Sequence, residues 1–533
     1  MSNIQADLKL VEEAATTAID KLSESIARNV YQQHLGHAPK IKTIPSRIGH
    51  EDNRNEPLCT ASDSEIYVSK RAAPLEYPMS EGELDNRPLF YDDDDDDEEE
   101  ETQQPDGSPR KKRPPHKTTN CETLMHLLKG NTGPGILALP SGFSNSGLIV
   151  GALGIPLMGL LAIHCMHLLV RCSRHLCKKL GRESLDYSRV ALYAFKLGPS
   201  PLQKYGRFAR RTVNIFLMLT QFGFCCIYFV FVSTNIKQVI YHYTGADLSI
   251  YSYLSILLPF VILLVMVRSL RHLALASTVA NVFQIMGLCI IFFNLFQNVP
   301  PTSSRPFTQP LWKLPLYFGT TIFAFEGIGV ILPLENEMQT PQDFGGCSGV
   351  LNTGMVIVCC LYVAVGFFGF LKFGESVRGS ITLNLPAEPA YELVRVMFAI
   401  AVFLSYAIQF YVPLQFIWPF IRKKRRLDEW MSQKTQRMWE YILRAFLVMV
   451  TYCLATAIPK LDLFISLVGA VASSSLALVF PCLLEVIVFW NEDMTRGEWI
   501  KLFIKNTFIA TFGIFGFITG TYASISAIVE AFS

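Results

Sequence analysis

One segment organises the whole sequence, and it reads Asn120-Cys-Glu-Thr-Leu-Met-His-Leu-Leu-Lys-Gly-Asn-Thr-Gly-Pro-Gly-Ile-Leu-Ala-Leu-Pro-Ser-Gly-Phe143. It begins as an apolar helix, but the helical pattern stops between Gly130 and Gly135. Glycine weakens a helix, and Pro134 removes a backbone N–H and clashes with the preceding turn. The break falls inside a segment of membrane-spanning length, where an unsatisfied N–H or C=O group costs several kcal/mol. A broken span is therefore expected only where the break lines a cavity or binds a ligand.

A second apolar segment, residues 314–333, carries the same kind of interruption. Gly327 and Gly329 break its pattern, and Glu326 stands immediately before them. For a single glycine in a span, close helix packing is the simpler explanation. Two interrupted spans in corresponding halves of a chain instead favour a transporter binding site built on inverted repeats.

The composition is typical of a membrane protein. Half of the residues are apolar and 17% are charged, whereas about 25% are charged in soluble proteins. Beyond residue 118 the chain consists largely of apolar blocks of about 20 residues, enough to cross a hydrocarbon core of about 30 Å. We expect about eleven spans within residues 119–530, in contact with a lipid bilayer. The net charge of +2 gives no reason to expect a nucleic-acid partner.

Residues 1–118 are predicted to form a cytosolic, largely disordered tail. Apolar residues recur every three or four positions within residues 4–30. This pattern predicts an amphipathic helix that binds the membrane surface or a cytosolic signalling partner, and a transient helix in a disordered tail is the alternative. The acidic run at 92–101 repels itself and cannot build a core. The basic cluster at 110–113, just before the first span, favours a cytosolic location for the tail.

The distribution of Lys and Arg predicts the orientation of the chain. The loops after the second, fourth, eighth and tenth expected spans carry most of the basic residues, including the cluster at 422–426. Arg305, Arg378 and Lys460 are the main exceptions on the opposite side. Because basic loops stay in the cytosol, an odd number of spans puts the C-terminus on the extracellular or lumenal side.

The two breaks expose opposite partial charges. The helix that resumes at Ile136 offers free N–H groups to a carboxylate, and the half-helix that ends before Gly327 offers free C=O groups to an ammonium group. If the breaks face each other, they match the two charged groups of an amino acid. Nearby side chains would then select the substrate. The candidate substrate-binding residues are Asn131, Thr132, Gly133, Gly135, Tyr228, Phe325, Gly327 and Gly329.

Coupling to an ion requires a titratable group or a cation site, and an ionisable residue within a span costs at least about 2.5–3.5 kcal/mol. Glu326 adjoins the second break, so it is a candidate to carry a proton or to pair with an ammonium group; a structural carboxylate is the alternative. His126 lies seven residues before Gly133, roughly 10 Å along a helix. We expect it to gate or relay a proton, unless it simply contacts cytosolic water. Glu122, one turn earlier, would stabilise a protonated His126.

Four longer motifs resemble the proton-coupled amino acid transporter family of the amino acid/auxin permeases. They are HLLKGNTGPGILALP at 126–140, FEGIGVILPLEN at 325–336, GSITLNLP at 379–386 and YAIQFYVP at 406–413. The resemblance covers roughly residues 119–530 and implies an all-α polytopic membrane protein. It implies eleven transmembrane helices in a LeuT-like arrangement, a five-plus-five inverted repeat plus one.

The same resemblance implies symport of a proton with small neutral amino acids such as glycine, alanine and proline. It implies a role for His126 in proton coupling, and a location in the plasma membrane or in late endosomal or lysosomal membranes. The far-side disulfide of mammalian members is not expected, because 387–389 reads Ala-Glu-Pro where one of its cysteines would stand.

Three other functions stay open at this point: an amino-acid sensor whose transport is slow, a sodium-coupled neutral amino acid transporter, and a channel. The sequence carries no zinc-ligand spacing, phosphate-binding loop or catalytic triad. It therefore predicts neither an enzyme nor a cofactor. The family resemblance implies H+ as the coupling ion.

Overall fold

The computed structural model describes residues 117–267, 270–346, 348–424, 431–492 and 494–532. The amphipathic helix predicted at 4–30, and the disordered tail predicted for residues 1–118, lie outside these ranges except for residues 117 and 118. Within them the chain is helical apart from its loops and one isolated β-bridge.

The first half of the described chain contains eight α-helices, two of which are the halves of one interrupted segment. The bounds are Asn120–Asn131 (α1), Pro134–Ser146 (α2), Leu148–Leu180 (α3), Tyr187–Leu197 (α4), Ser200–Gln203 (α5), Gly206–Thr244 (α6), Ile250–Val265 (α7) and Leu270–Phe296 (α8).

The second half also contains eight α-helices within the described ranges. Their bounds are Leu314–Ala324 (α9), Ile328–Glu337 (α10), Val350–Phe373 (α11), Pro389–Lys424 (α12), Gln433–Ala457 (α13), Leu461–Val468 (α14), Phe480–Val488 (α15) and Arg496–Phe532 (α16). Two π-helical segments, Gly469–Ser473 and Ser475–Val479, join α14 to α15 without a loop. Short 3₁₀ segments lie at Thr302–Ser304, Leu311–Lys313, Pro341–Phe344, Gly374–Ser376 and Ile381–Asn384.

Nine helical segments among the described residues are long and apolar enough to cross a membrane. Two of the nine are composite: α9 and α10 together, and α14 and α15 with the π-helical segments between them. The apolar helix α7 is shorter than these nine. The pair α1 and α2 is interrupted, so neither half alone has the length of a span.

Both predicted interruptions are confirmed. Helix α1 ends at Asn131 and α2 begins at Pro134, while α9 ends at Ala324 and α10 begins at Ile328. Proline suits the first position of α2, because the N–H group that it lacks would have no partner within the helix. The Gly/Pro-rich sequence at the first break and the glycines at the second thus end one half-helix and begin the next.

The outer ends of the two interrupted segments are tied together. The N–H of Thr118 donates to the carbonyl of Glu337 (2.8 Å), and the N–H of Gln339 donates to the carbonyl of Thr118 (2.9 Å). Asn120 donates a side-chain hydrogen bond to Asp343 (3.0 Å), and this bond holds the pKa of the Asp343 carboxyl below its usual range. The chain before α1 therefore lies beside the chain that follows α10.

At the other end of the bundle, the end of α2 lies beside the loop that precedes α9. The N–H of Leu148 donates to the carbonyl of Pro306 (3.1 Å), and the N–H of Gln309 donates to the carbonyl of Ser146 (3.1 Å). The two interrupted segments therefore run antiparallel. Helix α2 packs against α9 and α11, and α9 packs against α14 and α16, so the broken segments lie at the centre of the bundle.

Basic side chains collect at the end where α1 begins and α10 ends, which we call the basic end. Arg174 donates to the carboxylate of Glu335 (2.5 Å) and to the carbonyl of Pro341 (2.5 Å). Lys179 donates to Glu492 (3.2 Å). The basic residues that were predicted to follow the second span thus lie at the end of the bundle where the first span begins.

A buried arginine holds the motif at 379–386 against α12. The Nε of Arg395 donates to the carbonyl of Thr382 (3.0 Å), its Nη2 donates to the carbonyl of Leu385, and its Nη1 pairs with Glu392. Both members of the ion pair are buried. Because a buried charge is costly without its partner, the two residues depend on each other.

We expect Arg395→Met to destabilise the protein by about 3–5 kcal/mol, since it leaves Glu392 buried and unpaired. The double variant Glu392→Gln/Arg395→Met should recover part of this loss, because it removes both charges. Thermal unfolding of the purified protein measures both effects. A single variant that unfolds at the wild-type temperature would contradict the proposed dependence.

Candidate functional site

A cavity of about 100 Å³ lies between the two breaks. Both breaks, the middle of α6 and one residue of α12 line it. The two interruptions thus face the same space, as the sequence predicted. The predicted residues that line it are Asn131, Gly133, Gly135, Tyr228, Glu326, Gly327 and Gly329.

The two broken segments approach each other closely at this level. A Cβ atom added to Gly135 would lie 2.9 Å from the Cα of Ala324, and one added to Gly327 would lie 3.6 Å from the side-chain amide of Asn131. Real Cβ atoms do not come as close to other atoms as 2.9 Å. Glycine at position 135 is therefore required for the start of α2 to lie against the end of α9.

The start of α2 offers backbone donors to the cavity. Its N-cap is Gly133, which supplies no side-chain hydrogen bond, and Pro134 follows as the first helical residue. The first N–H groups of a helix have no partner within the helix and carry a partial positive charge. This end of the cavity is therefore suited to an anionic group.

Three residues of the cavity lining each carry a buried side-chain oxygen that has no hydrogen-bond partner among the described residues. They are Oδ1 of Asn131, Oε1 of Gln221 and Oε2 of Glu326. The Nδ2 of Asn131 donates to the carbonyl of Leu127 (2.9 Å), which holds this amide in place. Because an unpaired buried acceptor is costly, the three oxygens suit a ligand that donates several hydrogen bonds.

The remaining wall is largely apolar and aromatic. The rings of Phe224 and Phe323 lie 4.9 Å apart between centroids, and those of Phe224 and Tyr228 lie 6.2 Å apart. Leu217 and Val330 complete this side. These side chains limit the space that is available beside the polar groups.

Two predicted substrate-binding residues do not line the cavity. Phe325 is fully buried, and its ring packs on that of Tyr362 with centroids 5.0 Å apart. The hydroxyl of Thr132 donates to the carbonyl of Lys129 (3.2 Å), so this residue caps the end of α1. The turn at each break directs these two side chains away from the cavity.

The two predicted proton-coupling residues of α1 are exposed and lie outside the cavity lining. Glu122 forms a capping box: its Oε2 accepts from the N–H (2.8 Å) and the hydroxyl (3.0 Å) of Thr119. His126 lies one turn further along the same helix. The coupling roles of both residues stay predictions.

Sequence reasoning missed three polar residues here. Gln221 lines the cavity, and the Nε2 of Gln409 donates to the hydroxyl of Tyr228 (3.4 Å). An amide within an apolar span is costly, so both glutamines carried a detectable signal. Tyr362 carried none, because α11 contains several aromatic residues. Its hydroxyl lies 2.6 Å from the carbonyl of Asn131 and 2.5 Å from that of Ala324.

Residues 116–526 match the family described as transmembrane amino acid transporter protein. The chain belongs to this family. It is an amino acid transporter and a multi-pass integral membrane protein, and it is not an enzyme.

Two curated relatives are similar over most of their length. The chain is 40% identical over 422 residues to the proton-coupled amino acid transporter-like protein pathetic of Drosophila melanogaster, which covers 79% of this chain and 87% of that protein. It is 30% identical over 427 residues to the probable amino acid transporter skat-1 of Caenorhabditis elegans, over 78% of this chain and 91% of that protein. Among solved structures, MhsT in complex with L-phenylalanine gives a TM-score of 0.39 at 13% identity, over 77% of this chain and 99% of that one.

We expect Gly135→Ala to separate the two broken segments and to abolish amino-acid binding, because the added Cβ meets the backbone of Ala324. The overpacking should cost about 1–3 kcal/mol of stability. Gly142→Ala is the matched control in the same helix, since its Cβ would find an ordinary contact, 3.4 Å from Thr320. Ligand-induced thermal stabilisation measures binding, and equal binding by both variants would contradict the close approach.

Proposed function

We propose that this transporter carries out proton-coupled symport of small neutral amino acids of the glycine, alanine and proline type. The observation that carries the proposal is the cavity between the breaks, where three unpartnered oxygens and the start of α2 line one space. The relative from Drosophila melanogaster is named as proton-coupled amino acid transporter-like, which supports the choice of ion. The membrane would be the plasma membrane or that of late endosomes or lysosomes.

The lining suits the two charged groups that all amino acids share. The carboxylate would accept hydrogen bonds from the first N–H groups of α2, where the helix dipole favours an anion. The ammonium group has three donors, and these would match the three unpartnered oxygens, Oδ1 of Asn131, Oε1 of Gln221 and Oε2 of Glu326. Recognition would thus rest mainly on the carboxylate and ammonium groups of the substrate, which are the same whatever its side chain.

The size of the cavity favours small side chains. Its volume of about 100 Å³ is below that of an engineered cavity of about 150 Å³ that admits benzene. Phe224 and Phe323 close the wall against which a substrate side chain would lie. A large aromatic or charged side chain would require these rings to move.

Glu326 is the residue that we propose for carrying the coupled proton. It lies in the second break and lines the cavity, and one of its carboxylate oxygens is buried without a hydrogen-bond partner among the described residues. Ionised, this oxygen accepts from the ammonium group; protonated, it becomes a donor. The carboxyl group can therefore change its protonation state in direct contact with the substrate.

For the chain as a whole, we propose that residues 119–530 form a domain of eleven transmembrane helices. The nine long apolar segments of the described residues, together with α7 and the broken pair α1–α2, support this number. The antiparallel course of the two broken segments supports a LeuT-like five-plus-five inverted repeat plus one. The cations of the basic end support a cytosolic N-terminus and an extracellular or lumenal C-terminus.

Uptake into proteoliposomes under an imposed pH gradient tests the proposed function. We expect accumulation of glycine, alanine and proline when the outer side is acidic, and little uptake of phenylalanine, glutamate or lysine. Accumulation that follows a sodium gradient instead would favour a sodium-coupled transporter. Amino-acid binding without any uptake would favour the sensor.

We expect Glu326→Gln to abolish accumulation driven by the pH gradient, because the amide cannot take up the proton. Exchange of labelled alanine against unlabelled alanine should persist, since the amide oxygen still accepts a hydrogen bond. Glu375→Gln is the control: Glu375 is an exposed carboxylate that accepts from Gln309 (3.0 Å), outside the cavity.

The same assay examines His126. If His126 relays the proton, His126→Asn should shift the pH dependence of uptake and leave the affinity for alanine unchanged. Proton-driven accumulation by Glu326→Gln, together with its loss in His126→Asn, would move the proton-carrying role to the histidine.

A further inference from the structure

Tyr362 lies where two helix ends meet. Helix α1 ends at Asn131 and α9 ends at Ala324, and the carbonyls of both last residues point at the hydroxyl of Tyr362. The distances from this hydroxyl are 2.6 Å to the Asn131 oxygen and 2.5 Å to the Ala324 oxygen. The tyrosine comes from α11, a helix that contains neither break, and it is fully buried.

The C-terminal end of a helix carries a partial negative charge, because its last carbonyls have no partner within the helix. Two such ends that face one point repel each other unless a positive group lies between them. Carbonyls of interrupted helices bind cations in transporters for this reason. Here the hydroxyl proton of Tyr362 takes the place of the positive group.

A hydroxyl group has a single proton, so it donates to one of the two carbonyls at a time or shares the proton between them. The hydroxyl nevertheless stays between the two helix ends, because the phenol is covalently part of α11. The ring of Phe325 packs on that of Tyr362 with centroids 5.0 Å apart and restrains it. The two broken segments are therefore held together without a dissolved ion.

We infer that the hydroxyl of Tyr362 occupies the position of a coupling cation and thereby makes amino-acid binding independent of Na⁺. Tyr362 acts as a positioning residue, since it holds the two helix ends that line the cavity. This inference rests on the proposed function, because it concerns the ion that amino-acid binding in this cavity requires.

Two substitutions test separately what the hydroxyl proton of Tyr362 contributes and what its ring contributes by filling space. Tyr362→Phe keeps the ring and removes the donor, so both carbonyls lose their partner and a cation finds no room. Tyr362→Ser removes the ring and leaves a space lined by two carbonyls and a hydroxyl, which are the oxygen ligands that hard cations prefer.

The experiment measures alanine binding to the purified full-length chain in chloride salts of sodium, lithium, potassium and choline. Wild-type binding should be equal in all four. Tyr362→Phe should bind about tenfold more weakly in every salt, the size expected when a buried acceptor loses its donor. Tyr362→Ser should bind weakly in choline chloride and regain affinity in sodium or lithium chloride.

Tyr317→Phe is the matched control. Tyr317 is also buried, and its hydroxyl donates to one carbonyl, that of Gly151 (3.0 Å), away from the cavity. We expect this variant to bind alanine like the wild type in all four salts. Size-exclusion chromatography and thermal unfolding without amino acid establish that each variant is folded.

A second measurement needs no amino acid: sodium chloride, compared with choline chloride, should raise the unfolding temperature of Tyr362→Ser and leave that of the wild type unchanged. Wild-type protein that binds no amino acid in any salt would refute the proposed function. The sodium-dependent change in the unfolding temperature of Tyr362→Ser would still test the inference about Tyr362. The inference is overturned if the wild type requires Na⁺, if Tyr362→Phe binds normally, or if folded Tyr362→Ser responds to neither small cation. Should Tyr362→Ser not fold, the wild-type salt series and Tyr362→Phe decide it.

Discussion

In hydrocarbon every backbone N–H or C=O group needs a partner within the protein, because each unpaired group costs several kcal/mol. The two interrupted segments leave such groups unpaired at the centre of the bundle, so the surrounding helices must satisfy them. At the ends of α1 and α9 the hydroxyl of Tyr362 lies within hydrogen-bond distance of the last carbonyl of each helix, and its single proton serves one of them at a time or is shared between them. At the start of α2 the N–H groups are left for a ligand, since Gly133 supplies no side-chain cap.

Close packing at the centre follows from the same requirement. The partners of a broken segment must come within hydrogen-bond distance, and only small residues permit that approach. Gly135 lies against Ala324, and Gly319 of α9 lies against the backbone at Gly469 in the π-helical segment. The centre of the bundle is therefore assembled from glycine contacts, with aromatic rings filling the space around the cavity.

The sequence was a reliable guide to where the helices stop. Glycine and proline act on their own backbone, so their effect can be read from neighbouring residues alone, and both predicted breaks occur in the structure. It was a poorer guide to which side chains face the cavity. Phe325 and Thr132 adjoin the breaks in sequence, yet the turn directs them elsewhere. Gln221 was recoverable as a costly amide in an apolar helix, whereas Tyr362 resembled its aromatic neighbours.

Local chemistry thus settled the membrane-spanning character, the two interruptions and the family motifs, because apolar length, glycine, proline and charge act over a few residues. Packing between distant segments settled the rest. The contact of Tyr362 with Asn131 spans 231 positions of the chain, and Gln409 reaches Tyr228 across 181. Such partners are chosen by how whole helices fit together, which no short stretch of residues encodes.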